Sequence, residues 1–293
     1  YRRFYGTCSS TVTLTRCSDS HDRPTTMKLF STTSHLPTKR IVMLGAPGSG
    51  KGTYAKALAS STELLLSKNN TTTTTSSLPI ISTGDIIRDE ITRNTSLGKA
   101  AQQAAENGQL VPDAIITDIV LKRLSSFDAD SLRPTLPSPG YILDGFPRTP
   151  AQAQSLLEYE GGKYAPTVVI NINLATDVIV QKLAGRRVCT KCGTSYNIAN
   201  VVDSNRGYDM PAMPPPKECE ETLTIRKDDD PKIVKERLLV YERETAPLIE
   251  LYQETGLLID FQVKKGMKEM PLLLKKIVKH GEASQLADEW SKV

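Results

Sequence analysis

Residues 40–53 read RIVMLGAPGSGKGT, and the fold of the chain is decided in this stretch. The apolar run Ile41 to Leu44 stops at Gly45, which suits a strand buried in a parallel sheet. The loop that follows has the form Gly-x4-Gly-Lys and leads into a helical stretch. That is the sequence context of a phosphate loop. Its glycines let backbone N–H groups turn inward, the next helix presents its positive end, and a lysine bridges phosphate oxygens. Gly48, Ser49, Gly50, Lys51, Gly52 and Thr53 are therefore read as ligands of a nucleotide phosphate chain. Gly52 stands where many such loops carry a Mg-binding Ser or Thr, and Thr53 comes one residue later. A glycine turn that binds nothing is the bland alternative, and it leaves the strand and helix on either side unexplained.

Working outward, short apolar runs recur at 79–82 (PIIS), 141–143 (YIL), 167–172 (TVVINI) and 257–261 (LLIDF), separated by longer helical stretches. This alternation predicts an α/β core of five parallel strands with helices on both faces. Residues 1–38 hold fifteen Ser or Thr, five Arg or Lys, and only Asp19 and Asp22 as acids. They cannot build a core and look like a mitochondrial or plastid transit peptide. A disordered tail, or translated sequence ahead of Met27, on a cytoplasmic protein is the alternative. The segment 67–77 (SKNNTTTTTSS) is read as a low-complexity loop within the core. Between 185 and 226 the chain becomes irregular, as an inserted small domain would. Pro231 then opens a helix behind the acids Asp228 to Asp230.

Three further blocks narrow the reading: STGDIIR at 82–88, DGFPRT at 144–149 with Gln152 beyond it, and GRR at 185–187 together with TIRKDDD at 224–230 and Arg237. With Gly-Lys-Gly-Thr, these resemble the adenylate kinases, nucleoside monophosphate kinases of the long, lid-bearing type. The resemblance covers about residues 40–265, the poly-Thr loop being an insertion. It implies reversible transfer of a phosphoryl group between Mg-ATP and AMP, with Mg²⁺ as cofactor and ATP, AMP and ADP as the small-molecule partners of a monomer. By the same resemblance Thr83 and Gln152 read the adenine of AMP, and Arg88 and Arg148 grip its phosphate. Gln109, Leu110, Val111, Gly145, Phe146 and Pro147 line the site. Asp144 positions the metal's water shell. Arg186, Arg226 and Arg237 close over the phosphates, while Ser195, Tyr196 and Lys265 fall on the ATP side. The implied organisation is a core at 39–82, 113–185 and 227–293, an AMP-binding arm at 83–112 and a lid at 186–226. Lys182 departs from the family, which has Arg there; lysine keeps the charge and loses the two-pronged fork.

An AMP phosphate is already an anionic nucleophile, so the chemistry calls for charge neutralisation in a closed site, which Lys51 and five arginines supply. Two other readings use the same machinery: a GTP donor, and a nucleotide-binding regulator without catalysis. The net charge of +4 is too mild for a nucleic-acid binder, and no apolar run is long enough to span a membrane. The five cysteines do not form a secreted disulfide framework. Cys189, Cys192 and Cys219 raise the question of a lid zinc. The histidines, His21, His35 and His280, lie outside this segment, so Glu218, Glu220 or Asp209 would have to be the fourth ligand; by the resemblance Cys219 falls at the family's final ligand position, and Pro216, which cannot ligate, stands where its partner is expected. The lid is read as metal-free, with zinc as the alternative.

Overall fold

The structure, a computed structural model, describes residues 39–61, 77–106, 109–129 and 140–290. The N-terminal segment 1–38 and nearly all of the low-complexity segment 67–77 lie outside the described residues, as does Gly108. In chain order the elements are β1 (Lys39–Leu44), α1 (Lys51–Ala59), β2 (Ile80–Ser82), α2 (Thr83–Thr92), α3 (Ser96–Glu106), α4 (Asp113–Ala129), β3 (Gly140–Asp144), α5 (Pro150–Glu158), β4 (Val168–Asn173) and α6 (Thr176–Ala184). The segment read as inserted follows with β5 (Arg186–Cys189), β6 (Ser195–Asn197), β7 (Val201–Asp203), β8 (Tyr208–Met210), α7 (Lys217–Glu220) and β9 (Leu223–Thr224). After it come α8 (Pro231–Val240), α9 (Pro247–Glu254), β10 (Leu258–Gln262) and α10 (Met270–Trp290).

Five strands form one parallel sheet in the order β10-β4-β1-β3-β2, and each coincides with one of the five apolar runs. Alternation along β1 shows why the run is continuously apolar. Ile41 and Met43 pack with Tyr54 and Leu58 of α1, Ile179 and Leu183 of α6, and Leu273 and Ile277 of α10. Val42 and Leu44 pack with Val120 and Leu124 of α4, Leu156 of α5, and Leu248 and Tyr252 of α9. Both faces are covered, so Ile41 to Leu44 are all buried. The β1 and β3 strands end together at the phosphate loop and at Asp144, with Met43 opposite Asp144 in register. The carboxyl ends of neighbouring strands thus converge where open α/β sheets bind ligands.

Residues 186–226 do not form a single sheet. Strands β6-β5-β9 make one, and β7-β8 make a separate hairpin. Val201, Tyr208 and Met210 of the hairpin are buried in the same cluster as the β4 and β10 side chains. Asp209 N–H donates to Lys264 O (3.0 Å), Lys268 reaches the Asp209 carboxylate (2.8 Å), and Arg206 spans Asp203 and Asp177. The hairpin is therefore fastened to the core, while the three-stranded sheet carries Arg186, Ser195 and Tyr196.

Candidate active site

The phosphate loop is closed around its own lysine. Lys51 Nζ donates to Gly45 O (2.7 Å) and Ala46 O (2.9 Å). Burial lowers the Lys51 pKa to about 8; Asp144 opposes this, and Arg148, Arg237 and Arg186 add to it. The missing side chain at position 52 has a reason in space. A Cβ on Gly52 would lie 3.1 Å from Asp144 Oδ2, so the carboxylate stands where the usual Ser or Thr would be. Ser49 is buried, and its Oγ has no hydrogen-bond partner among the described residues. Thr53 lies in the first turn of α1, its N–H donating to Gly50 O (2.9 Å).

A second cluster forms around the β3 exit. Ser82 caps α2 by accepting from Asp85 N–H (3.3 Å), which places Thr83 and Arg88 on the first turns of that helix. Thr83 Oγ1 donates to Gly145 O (2.9 Å), and Arg148 Nε donates to the same oxygen (2.9 Å). Gly145 has φ +84°, and a Cβ there would meet Thr83 Oγ1 at 2.7 Å; only glycine fits between the two side chains. The Phe146–Pro147 bond is cis, and Phe146 is fully buried. Leu110, Val111, Gly145, Arg148 and Gln152, with Ile87 and Ile116, line a cavity of about 20 Å³. Gln109, by contrast, is exposed.

Gln152 is buried and held at both ends. Its Oε1 accepts from Arg148 N–H (2.7 Å), and its Nε2 donates to Asp113 Oδ1 (2.8 Å). Thr149, the cap of α5, accepts from Gln152 N–H (3.2 Å) and donates to the other oxygen of Asp113. Thr245 Oγ1 donates to Arg148 O (2.8 Å). Sequence reasoning missed Asp113, Thr149 and Thr245. Asp113 follows Pro112 and reads only as an acid in the first turn of a helix, and Thr245 carries no local signal at all.

The remaining arginines sit over two acids. Arg186 Nε donates to Asp229 Oδ2 (2.7 Å) and its Nη2 pairs with the other oxygen; Arg237 Nη1 meets Asp228 Oδ2 (3.0 Å). The Asp229 side chain is fully buried. Burial by itself would raise Asp228, but Arg237, Arg186 and Arg226 outweigh it and hold its carboxyl below the usual range. Arg226 Nη2 donates to Ser195 Oγ (2.7 Å), and burial together with Arg186 and Arg88 pulls Arg226 down to about 10. Burial and Arg237 likewise lower Arg148. Lys51 and all five arginines thus belong to one electrostatic neighbourhood. Tyr196 directs its hydroxyl to Cys219 Sγ (3.7 Å), and Asn197 Nδ2 donates to Lys182 O (2.8 Å). Lys265 lies beyond β10, its N–H given to Glu269 Oε2 (2.7 Å).

The sulfur atoms of Cys189, Cys192 and Cys219 all lie within 4.8 Å of one another. Of the three carboxylates considered as a fourth donor, Asp209 is committed to Lys268, and Glu218 and Glu220 are exposed outside the cluster.

A parallel sheet with a phosphate loop at its carboxyl edge, a half-buried lysine and a converging set of arginines defines a phosphate-loop phosphotransferase. The family model of adenylate kinase matches residues 43–257. The chain is 38% identical over 233 residues, 78% of its length, to a probable adenylate kinase 6, chloroplastic, of Arabidopsis thaliana, covering 70% of that protein. It is 39% identical over 234 residues to an adenylate kinase of Clostridium beijerinckii, covering 79% of this chain and 94% of the relative. An adenylate kinase of Caldicellulosiruptor bescii is 38% identical over 248 residues, 82% and 97% of the two chains. This chain belongs to the adenylate kinase family.

Proposed function

We propose a division of labour among these side chains for the reaction that family membership assigns to the chain, the reversible transfer of a phosphoryl group from ATP to AMP to give two ADP. The observation that carries it is the shared field of Lys51, Arg88, Arg148, Arg186, Arg226 and Arg237. Six cations held together without a ligand repel one another; the Lys51 pKa is lowered first by burial, and Arg148, Arg237 and Arg186 add to the shift. Phosphate chains would relieve the repulsion, which favours binding of polyanions to this pocket.

ATP phosphates lie along Gly48 to Thr53, where the Lys51 ammonium exchanges the carbonyls of Gly45 and Ala46 for phosphate oxygens. AMP sits against Thr83, Val111, Gly145 and Gln152, its phosphate between Arg88 and Arg148. No base is needed, because the AMP phosphate is ionised at neutral pH. Arg186, Arg226 and Arg237 neutralise the charge that develops on the transferred group. Residues 83–112 form the AMP-binding arm, and the β6-β5-β9 sheet forms the moving part of the lid, with Ser195 and Tyr196 on its ATP side. Closure excludes water and suppresses hydrolysis.

ATP enters with Mg²⁺. The residues present fit that ion: the Asp144 carboxylate beside the loop accepts no hydrogen bond from the described residues, and a hard oxygen donor of this kind suits magnesium held through water. Held there through the Asp144 carboxylate, the ion would supply positive charge that offsets the charge of the phosphate chain. A single chain carries the complete residue set, which supports action as a monomer. Organelle residence is supported by the plastid relative together with the Ser/Thr-rich N-terminal composition. Among the described residues no helix is long and apolar enough to cross a membrane.

The test is a coupled assay of ADP formation from Mg-ATP with AMP, GMP, CMP or UMP as acceptor, then with GTP as donor. Turnover confined to ATP with AMP is expected. Equal turnover with GMP, or a preference for GTP, would overturn the assigned base recognition.

A further inference from the structure

The three thiols of the β6-β5-β9 sheet have no part in phosphoryl transfer, yet the fold brings them together from two separate turns. Cys189 ends β5, and Cys192 lies in the tight β5–β6 turn, where Gly193 N–H returns to Cys189 O (2.9 Å). Cys219 lies in the short helix α7, Lys217–Glu220, ahead of β9. Pairing of β5 with β9, Cys189 opposite Leu223, fixes one turn beside the other. The result places Cys192 Sγ 3.7 Å from Cys219 Sγ, a van der Waals contact between residues 27 apart in sequence. Closing it to a covalent bond needs a movement of about 1.7 Å, given a disulfide length near 2.0 Å.

The three sulfurs are not equivalent. Cys189 is fully buried, with Thr222 Oγ1 at 3.1 Å from its Sγ. Cys192 is exposed, and Cys219 lies directly behind it. An oxidant arriving from solvent meets Cys192 first and finds Cys219 as the resolving thiol.

We propose that Cys192 and Cys219 form a reversible disulfide, a modification site independent of the nucleotide-site roles argued above. With hydrogen peroxide as oxidant, the Cys192 thiolate attacks one peroxide oxygen. The O–O bond breaks, hydroxide leaves, and Cys192 becomes a sulfenic acid. The Cys219 thiolate then attacks that sulfur, the S–S bond forms, and a second hydroxide leaves. The two thiol protons convert both hydroxides to water; peroxide gains two electrons and the sulfurs lose two. A dithiol reductant reverses the change by exchange. The bond ties the β5–β6 turn to the segment ahead of β9. Ser195 follows the first and Arg226 the second, so oxidation stiffens the part of the sheet that holds their hydrogen bond. A cross-link spanning this length of chain also restricts the unfolded state and raises thermal stability.

The experiment exposes the reduced full chain to hydrogen peroxide with and without a metal chelator, then maps its peptides under non-reducing conditions. The expected result is loss of two hydrogens, a linked Cys192–Cys219 peptide in both arms, and a higher Tm that dithiothreitol reverses. Cys192→Ser and Cys219→Ser each abolish the link, whereas Cys189→Ser retains it. The proposal is overturned by a link through any other cysteine, by Cys192 passing to sulfinic acid while Cys219 stays a thiol, or by oxidation only after a chelator strips a bound metal.

Discussion

Arg148 is the residue on which most of the site converges. Its Nε is aimed by Gly145 O, its N–H is fixed by Gln152, and its carbonyl is fixed by Thr245. Such a preorganised cation contributes most where charge develops, so Arg148→Ala should lower kcat by about 10²–10³-fold, with KM for ATP within about twofold. An equal rise in KM for ATP would refute that placement. Asp113 acts through others, since it holds Gln152 and Thr149 and lines no part of the cavity. For Asp113→Ala we expect KM for AMP to rise several-fold while KM for ATP stays put, with Asp113→Asn recovering part of the loss. Unchanged AMP kinetics would remove it from the positioning network. Lys51 makes a prediction in pH. Its pKa is lowered to about 8 in the unliganded protein, and phosphate needs the charged form, so ATP affinity falls as pH rises through 8. Stability moves the other way. The folded chain binds fewer protons than the unfolded one between about pH 8 and the ordinary lysine value, so unliganded stability rises with pH there by at most about 1.4 kcal/mol per unit. Lys51→Met should flatten both profiles, and titration calorimetry with chemical denaturation would read them.

Among the elements, the hairpin β7–β8 changes how the inserted segment must work. Tyr208 is buried, and the Lys264 ammonium lies 4.0 Å from its ring centroid. Val201 and Met210 join the main cluster beside it. Anchoring of this kind would confine the proposed closure to the β6-β5-β9 sheet. Removing the anchor by Tyr208→Ala should cost about 3 kcal/mol and lower Tm by about 6–12 °C for a chain of this size. A thermal melt that leaves Tm unchanged would show the hairpin to be undocked in solution. The clamp of Asp228 and Asp229 on Arg186 and Arg237 belongs to the same scale. It keeps two arginines in place before substrate arrives and limits the repulsion that six gathered cations would otherwise impose.

For the whole molecule the question is how two nucleotides share one neighbourhood of positive charge. ATP and AMP would approach it from opposite sides of the β1–β3 edge, so each should stabilise the folded chain, and together they should do at least as much as the sum. At a hundred times Kd each ligand contributes about 2.7 kcal/mol. With magnesium withheld to prevent turnover, thermal shifts measured with ATP, AMP and both should add or exceed addition. AMP producing no shift once ATP is present would argue for one shared site in place of two.

Sequence alone determined the core and the chemistry of the site. The strands were legible as short apolar runs, nearly continuous where both faces are covered in β1, β3 and β4 and broken by exposed Asp260 in β10, and the phosphate loop because close approach to phosphate demands glycines at set spacings. Lys51 and the five arginines were legible through the short motifs that carry them. Tertiary structure decided what local pattern cannot encode. Asp113 and Thr245 act on Gln152 and Arg148 across 39 and 97 residues, and no periodicity records a partner that far away. The division of residues 186–226 into a docked hairpin and a three-stranded sheet likewise depends on what Tyr208 and Met210 find to pack against. The contact of Cys192 with Cys219 exists only because β9 pairs with β5. Short-range sterics and burial are written into neighbouring residues, whereas hydrogen-bond partnership and docking are properties of surfaces that meet only after the chain has folded.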